Sequence, residues 1–173
     1  LTALGIETAH LVGWSMGGGV VMQYALDHPA LSLTLQAPVS PYGFGGTRRD
    51  GTRLTDDDAG TGAGGANADF VQRLTDRDPT DDAPTSPRSV FRSGYVAPGY
   101  TSEHEDLWVA SMNTTSTATG NYPGDSVASP NWPGFAPGRL GVLNTMAPGH
   151  FDTSGIVDLA QKPPVLWVHG TVD

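Results

Sequence analysis

Residues 10–37 (HLVGWSMGGGVVMQYALDHPALSLTLQA) constrain the fold of this chain more than any other stretch. His10–Trp14 is a short apolar run of the kind a buried parallel strand shows. Met16–His28 reads as a helix stopped by Pro29, with Val20, Val21, Tyr24 and Ala25 as its buried positions. Leu31–Ala37 alternates, is rich in leucine, and reads as a second strand. Strand, helix and strand joined by short connections make the βαβ unit of a parallel sheet. Pro163–Gly170 (PPVLWVHG) supplies a third strand, bounded by Pro-Pro and by Gly. The predicted class is therefore α/β, with the parallel strands interrupted by a large insertion.

That insertion lies between the second and third strands and differs in texture. Residues 45–90 are acidic and turn-rich, and residues 113–138 are polar with repeated Pro-Gly. Helices are predicted at Ala68–Leu74 and Ser102–Thr115, the latter after an acidic first turn. Leu1–Leu4 before Gly5 reads as the last turn of a further helix. A segment this long between neighbouring strands is a lid rather than a connection. The expected organisation is core over 1–40, lid over 41–155 and core again over 156–173. Eleven of the fourteen aromatics fall between Tyr42 and Phe151, enough to line a pocket or to build the core of the lid itself.

Composition removes several function classes. A net charge of −9, with one lysine and eight arginines, argues against a nucleic-acid surface, which needs clustered cations. Without cysteine there are no disulfides or thiolate metal sites. Asp56-Asp57-Asp58 and the Asp76–Asp82 cluster lack the fixed ligand spacing of a calcium loop and read as solvated acidic loops, so neither metal nor cofactor is expected. Asn113-Thr114-Thr115 fits a glycosylation sequon. There is no run of 18 apolar residues, hence no membrane span, and no charged start before an apolar core. A cytoplasmic location is the expectation.

Ser15 lies in Gly13-Trp14-Ser15-Met16-Gly17, at the junction of the first strand and its helix. In a chain with 23 glycines the pentapeptide arises by chance about 0.2 times, so its context carries the weight. A sharp strand-to-helix turn exposes the hydroxyl and aims the Met16 N–H at a developing oxyanion. Glycines two before and two after avoid collisions across the turn, and Gly18 and Gly19 imply close packing of the helix. Asp173 falls three residues past Gly170, beyond the end of a strand, where functional groups gather in open parallel sheets.

Together, "LTALGIETAHLVGWSMGGGVVMQYALDHP", a strand, a lid and "KPPVLWVHGTVD" resemble the α/β-hydrolase superfamily, specifically its lid-bearing serine hydrolases. About fifty residues at the two ends carry the resemblance. It implies Ser15 as nucleophile, the Met16 N–H in the oxyanion hole and Asp173 as the acid that orients a histidine. Trp14, Tyr42 and Phe44 are candidate substrate contacts for an apolar or aromatic acyl group. In that family the histidine follows the acid, whereas this chain ends on Asp173, and the first strands and oxyanion loop are not seen before Leu1. His10, His28, His104, His150 and His169 do not fill the gap, and Asp158 is a weaker candidate acid. The chain is accordingly expected to be an internal fragment of a carboxylic-ester hydrolase, inactive alone. A C–C bond hydrolase of the same fold, or a non-catalytic relative that uses the pocket for binding, is the alternative.

Overall fold

The structure is a computed structural model and describes residues 1–171. Strand β1 (His10–Trp14), helix α1 (Met16–Asp27) and strand β2 (Ser32–Gln36) follow one another closely, as the sequence predicts. Helices α2 (Ala68–Thr75), α3 (Pro87–Gly94) and α4 (Glu105–Met112) come next, then β3 (Ser126–Ala128), β4 (Phe135–Pro137) and β5 (Val165–Val168). The main sheet has the order β1-β2-β5, with β2 central and both pairings parallel. In register, Leu11 lies beside Leu33 and Gly13 beside Leu35, while Leu33 and Leu35 lie beside Val165 and Trp167. A separate antiparallel pair joins β3 to β4.

The core of the sheet half forms where α1 covers β2. Met22, Ala25, Leu33 and Leu35 are buried there, and Leu11, Val21, Ala30 and Ile156 pack around them. Burying each of the larger side chains contributes about 1.5–3 kcal/mol. Met22 takes the place the sequence reading gives to Val20, which is 63% exposed and faces away from the sheet. At 100° per residue Val20 lies about 200° from Met22, so the two cannot share a face.

Tight packing explains the glycines of α1. A Cβ on Gly18 would stand 2.9 Å from Pro38 Cα, and one on Gly19 would stand 2.6 Å from Val39 Cγ1 and 3.0 Å from Phe151 Cζ. The helix therefore gives up about 1 kcal/mol of propensity at each site to accept the chain leaving β2 and the end of the insertion. Thr153, fully buried, fastens the same junction by donating its N–H to the Pro41 carbonyl at 2.8 Å.

The insertion combines scattered buried apolar residues, Leu74, Phe91, Val109 and Met146 among them, with a dense set of polar contacts. Asn67 caps α2 by accepting from the Asp69 and Phe70 N–H groups. Arg73 on α2 pairs with Asp69, Asp78 and Asp82 at 2.6–3.0 Å, and also donates to Ser86, the residue before α3. Arg88 and Arg92 of α3 both reach Glu105 at the start of α4. Asp58 is buried, paired with Arg53 at 2.6 Å, and accepts the Gly149 N–H at 2.8 Å. Asp58 and Asp78 are thus drawn into internal ties, while Asp56, Asp76, Asp81 and Asp82 stay exposed as the sequence reading expects. Among the described residues no group of three or more histidines and acids could hold a metal ion. Asn113 is buried with its amide donating to the Asp78 carbonyl, which closes the sequon to glycosylation in the folded chain.

Two further readings change. The helix expected over Ser102–Thr115 is confined to Glu105–Met112, and α3 has no counterpart in the sequence reading. No helix among the described residues is long and apolar enough to cross a membrane.

Candidate active site

Ser15 occupies the turn between β1 and α1 with φ 52° and ψ −120°. For a residue with a side chain this backbone region costs about 1–3 kcal/mol and persists only where its surroundings enforce it. The enforcement is visible. The Ser15 N–H donates to the Gln36 carbonyl at 3.0 Å, and the Ser15 carbonyl accepts from Gly18 and Val39 N–H groups, each at 3.0 Å. The serine is exposed, not sunk into the core. Gly13 is required by the close return of the chain, because a Cβ there would stand 2.6 Å from the Gly17 carbonyl carbon and 2.7 Å from Gly18 Cα. Gly17 is not, since a Cβ on it would meet nothing within 4 Å. Met16 and Gly17 open α1, so their N–H groups have no acceptor one helical turn back and lie at its positive end.

Ser15 and Met16 line a cavity of about 600 Å³, within the range that takes a small organic ligand. On one side it is bounded by Ala37, Pro38 and Val39, which follow β2. On the other the insertion supplies Phe44, Tyr95, Tyr122 and Met146 among others. The wall is mostly apolar, and none of the lining side chains carries a charge. The Phe44 N–H donates to the Met146 carbonyl at 2.8 Å, joining two stretches of this wall. Burial pushes the Tyr122 phenol above its ordinary pKa, and the nearby Tyr95 phenol adds to the shift. Tyr122 therefore stays neutral at pH 7.

The candidate residues fall in different places. Ser15, Met16 and Phe44 meet at the cavity. Trp14 stands beside it, its indole edge-on to Tyr95 with ring centroids 6.0 Å apart. The Tyr42 ring is turned to Gly51, where a Cβ would stand 2.5 Å from Tyr42 Cε1, and is not part of the cavity wall. Asp173 lies outside the described residues. Asp158 is exposed at the end of a 3₁₀ turn over Ser154–Asp158. None of the five histidines lines the cavity: His10 Nδ1 is 2.8 Å from Ser32 Oγ, His28 packs at a tilt on Tyr24, His104 meets Trp108 edge-on and His169 stacks on Trp167, while His150 lies near Arg139.

Sequence reasoning missed Tyr95, Tyr122 and Asn67. Tyr95 caps the unforeseen α3, and Tyr122 sits in a polar Pro-Gly stretch with no periodicity to mark it.

The comparisons with known proteins agree with this geometry at the level of fold. A family model described as alpha/beta hydrolase fold matches residues 1–173. The dihydrolipoyllysine-residue acetyltransferase component of the acetoin cleaving system of Cupriavidus necator is 61% identical over 41 residues. That stretch is 24% of this chain and 11% of the relative, so the chain matches only about a tenth of that protein's length. No solved structure matches the chain.

Proposed function

Since the chain belongs to the alpha/beta hydrolase fold family, we propose that it carries the nucleophile of a serine hydrolase cleaving carboxylic esters. One observation carries this reading: Ser15 is held at a strained, positive-φ turn, opening on a 600 Å³ cavity at the start of a helix. In the proposed reaction Ser15 Oγ attacks the ester carbonyl carbon, and its proton passes to a histidine base. The carbonyl oxygen becomes an oxyanion that accepts from the Met16 N–H, with the positive end of α1 beneath it. The alcohol leaves with the proton from the base, and water then cleaves the acyl-serine by the same route in reverse. Asp173 is the proposed acid that orients the base. Residues 41–155 act as the lid, since they supply the far wall of the cavity, and 1–40 with 156–173 form the core.

The base is proposed to be a histidine, and among the described residues none of the five in this chain lines the cavity. That same absence of histidine from the cavity wall favours a second reading, binding without turnover. The relative's name also leaves open an acceptor other than water for the acyl group. Fluorophosphonate labelling of the full-length protein separates catalysis from binding. Labelling that disappears in Ser15→Ala, with ester turnover falling at least about 10⁴-fold, is the expected result. Persistent labelling in that variant rules Ser15 out as the nucleophile.

A further inference from the structure

We infer that the cavity over Ser15 selects an uncharged acyl group bearing a hydrogen-bond acceptor, which the Tyr122 phenol reads. This rests on the proposal that Ser15 is the nucleophile, and it names the substrate class of that site. The cavity has polar side chains, but few of their atoms are unengaged. Thr61 commits its hydroxyl to the Asp58 carbonyl at 2.8 Å. Asn67 commits its Oδ1 to the second and third N–H groups of α2, those of Asp69 and Phe70, at 2.9 and 3.1 Å, which leaves its Nδ2 donors. The hydroxyls of Tyr95 and Tyr122 make no hydrogen bond among the described residues.

Tyr122 is the better placed of the two phenols. Its ring is half-buried, set edge-on against Phe70 with centroids 6.5 Å apart, whereas Tyr95 is 53% exposed. A fixed, partly desolvated phenol without a partner gains most from a ligand acceptor, because no internal bond has to break first. It remains protonated at neutral pH, so it donates. An acyl chain carrying a ketone, ether or ester oxygen satisfies it.

Charge is excluded for a separate reason. Nothing charged lines the cavity, and Arg53, Arg73, Arg88 and Arg92 of the insertion are all engaged by carboxylates. A carboxylate carried into this wall meets no counter-ion, and the chain's net charge of −9 opposes its approach.

Three activated esters of equal reach test this in the full-length protein: hexanoate, 5-oxohexanoate and the adipate monoester. The expected kcat/KM for 5-oxohexanoate exceeds that for hexanoate by about 5- to 10-fold. The adipate monoester should fall at least about 100-fold below hexanoate. In Tyr122→Phe the oxo-to-plain ratio should drop to near one, a readout that a general loss of folding does not produce. A ratio unchanged in Tyr122→Phe, or adipate turned over at the hexanoate rate, overturns the inference while leaving the hydrolase reading intact. If no ester is turned over, the hydrolase reading falls instead. The same acyl groups, given as methyl amides to the Ser15→Ala protein in calorimetry, then decide the selectivity. Equal affinity for all three overturns it.

Discussion

Ser15 shows how a single residue is kept in a conformation it does not favour. The cost of its backbone angles, about 1–3 kcal/mol, is comparable to the net worth of three backbone hydrogen bonds at about 0.5–1.5 kcal/mol each. Those three bonds run to Gln36, Gly18 and Val39, so the turn is clamped by the end of β2 as well as by its own helix. The neighbouring glycines divide into one that the clamp needs and one that it does not. Gly13→Ala places a methyl against the returning backbone and should destabilise the protein by about 1–3 kcal/mol in urea unfolding. Gly17→Ala meets open space in a helix and should be neutral or stabilising by up to about 1 kcal/mol. Equal losses at both positions would refute the close-return account of Gly13.

Elements differ in how far their sequence announces them. β1, β2, β5 and α1 were legible because each has an apolar run of the right length bounded by Pro, Gly or a charged residue. α3 was not, since Pro87–Gly94 is short and half of it is polar or charged. Its order comes from Phe91 packing on Trp108 and from Arg88 and Arg92 reaching Glu105, partners more than ten residues away that no local pattern reveals. Asp58 and Asp78 escape the sequence for the same reason: one aspartate looks like another until its arginine is found. Site residues followed this division. Ser15 is marked by its motif, while Tyr122 is brought to the cavity by irregular chain.

That irregular chain depends on Asn144, which is buried beneath it. Its Oδ1 accepts the Ala63 N–H at 2.9 Å, and its amide donates to the carbonyls of Asp125 and Leu140, both at 2.7 Å. The side chain thereby joins three loops. Asn144→Ala leaves these groups unpaired and should cost about 2–4 kcal/mol, measured by urea unfolding. Asn144→Asp should be no better, because a carboxylate cannot donate to the two carbonyls.

At the scale of the whole molecule, an apolar sheet half is joined to an insertion tied by ion pairs, and the two should respond differently to acid. Thr80, through its hydroxyl and amide, and Arg73 hold the Asp78 carboxyl down to about 2, from an ordinary 3.8. Asp69, Asp82 and Glu105 are lowered as well, chiefly by Thr85, Ser86 and Arg92 respectively. A carboxylate with a depressed folded-state pKa stabilises fully above its unfolded value, and that stability is lost as pH falls through the folded one. The insertion should therefore loosen between about pH 4 and pH 2. Hydrogen exchange at α2 and α3 should rise across that window before exchange at Leu33 and Leu35, which belong to the apolar core. Simultaneous exposure of both halves would show that the ion pairs do not set the acid limit.

Trp14 precedes Ser15 in the chain, and its indole lies 6.0 Å from the Tyr95 ring across the line where sheet half and insertion meet. The molecule thus has a light-absorbing pair built across its own seam. Tyrosine emission overlaps indole absorption, so excitation passing from Tyr95 to Trp14 depends on how closely the seam is shut. With the other three tryptophans and the other four tyrosines replaced by phenylalanine, the separation of sheet half and insertion at this seam becomes readable as colour, without attaching a dye.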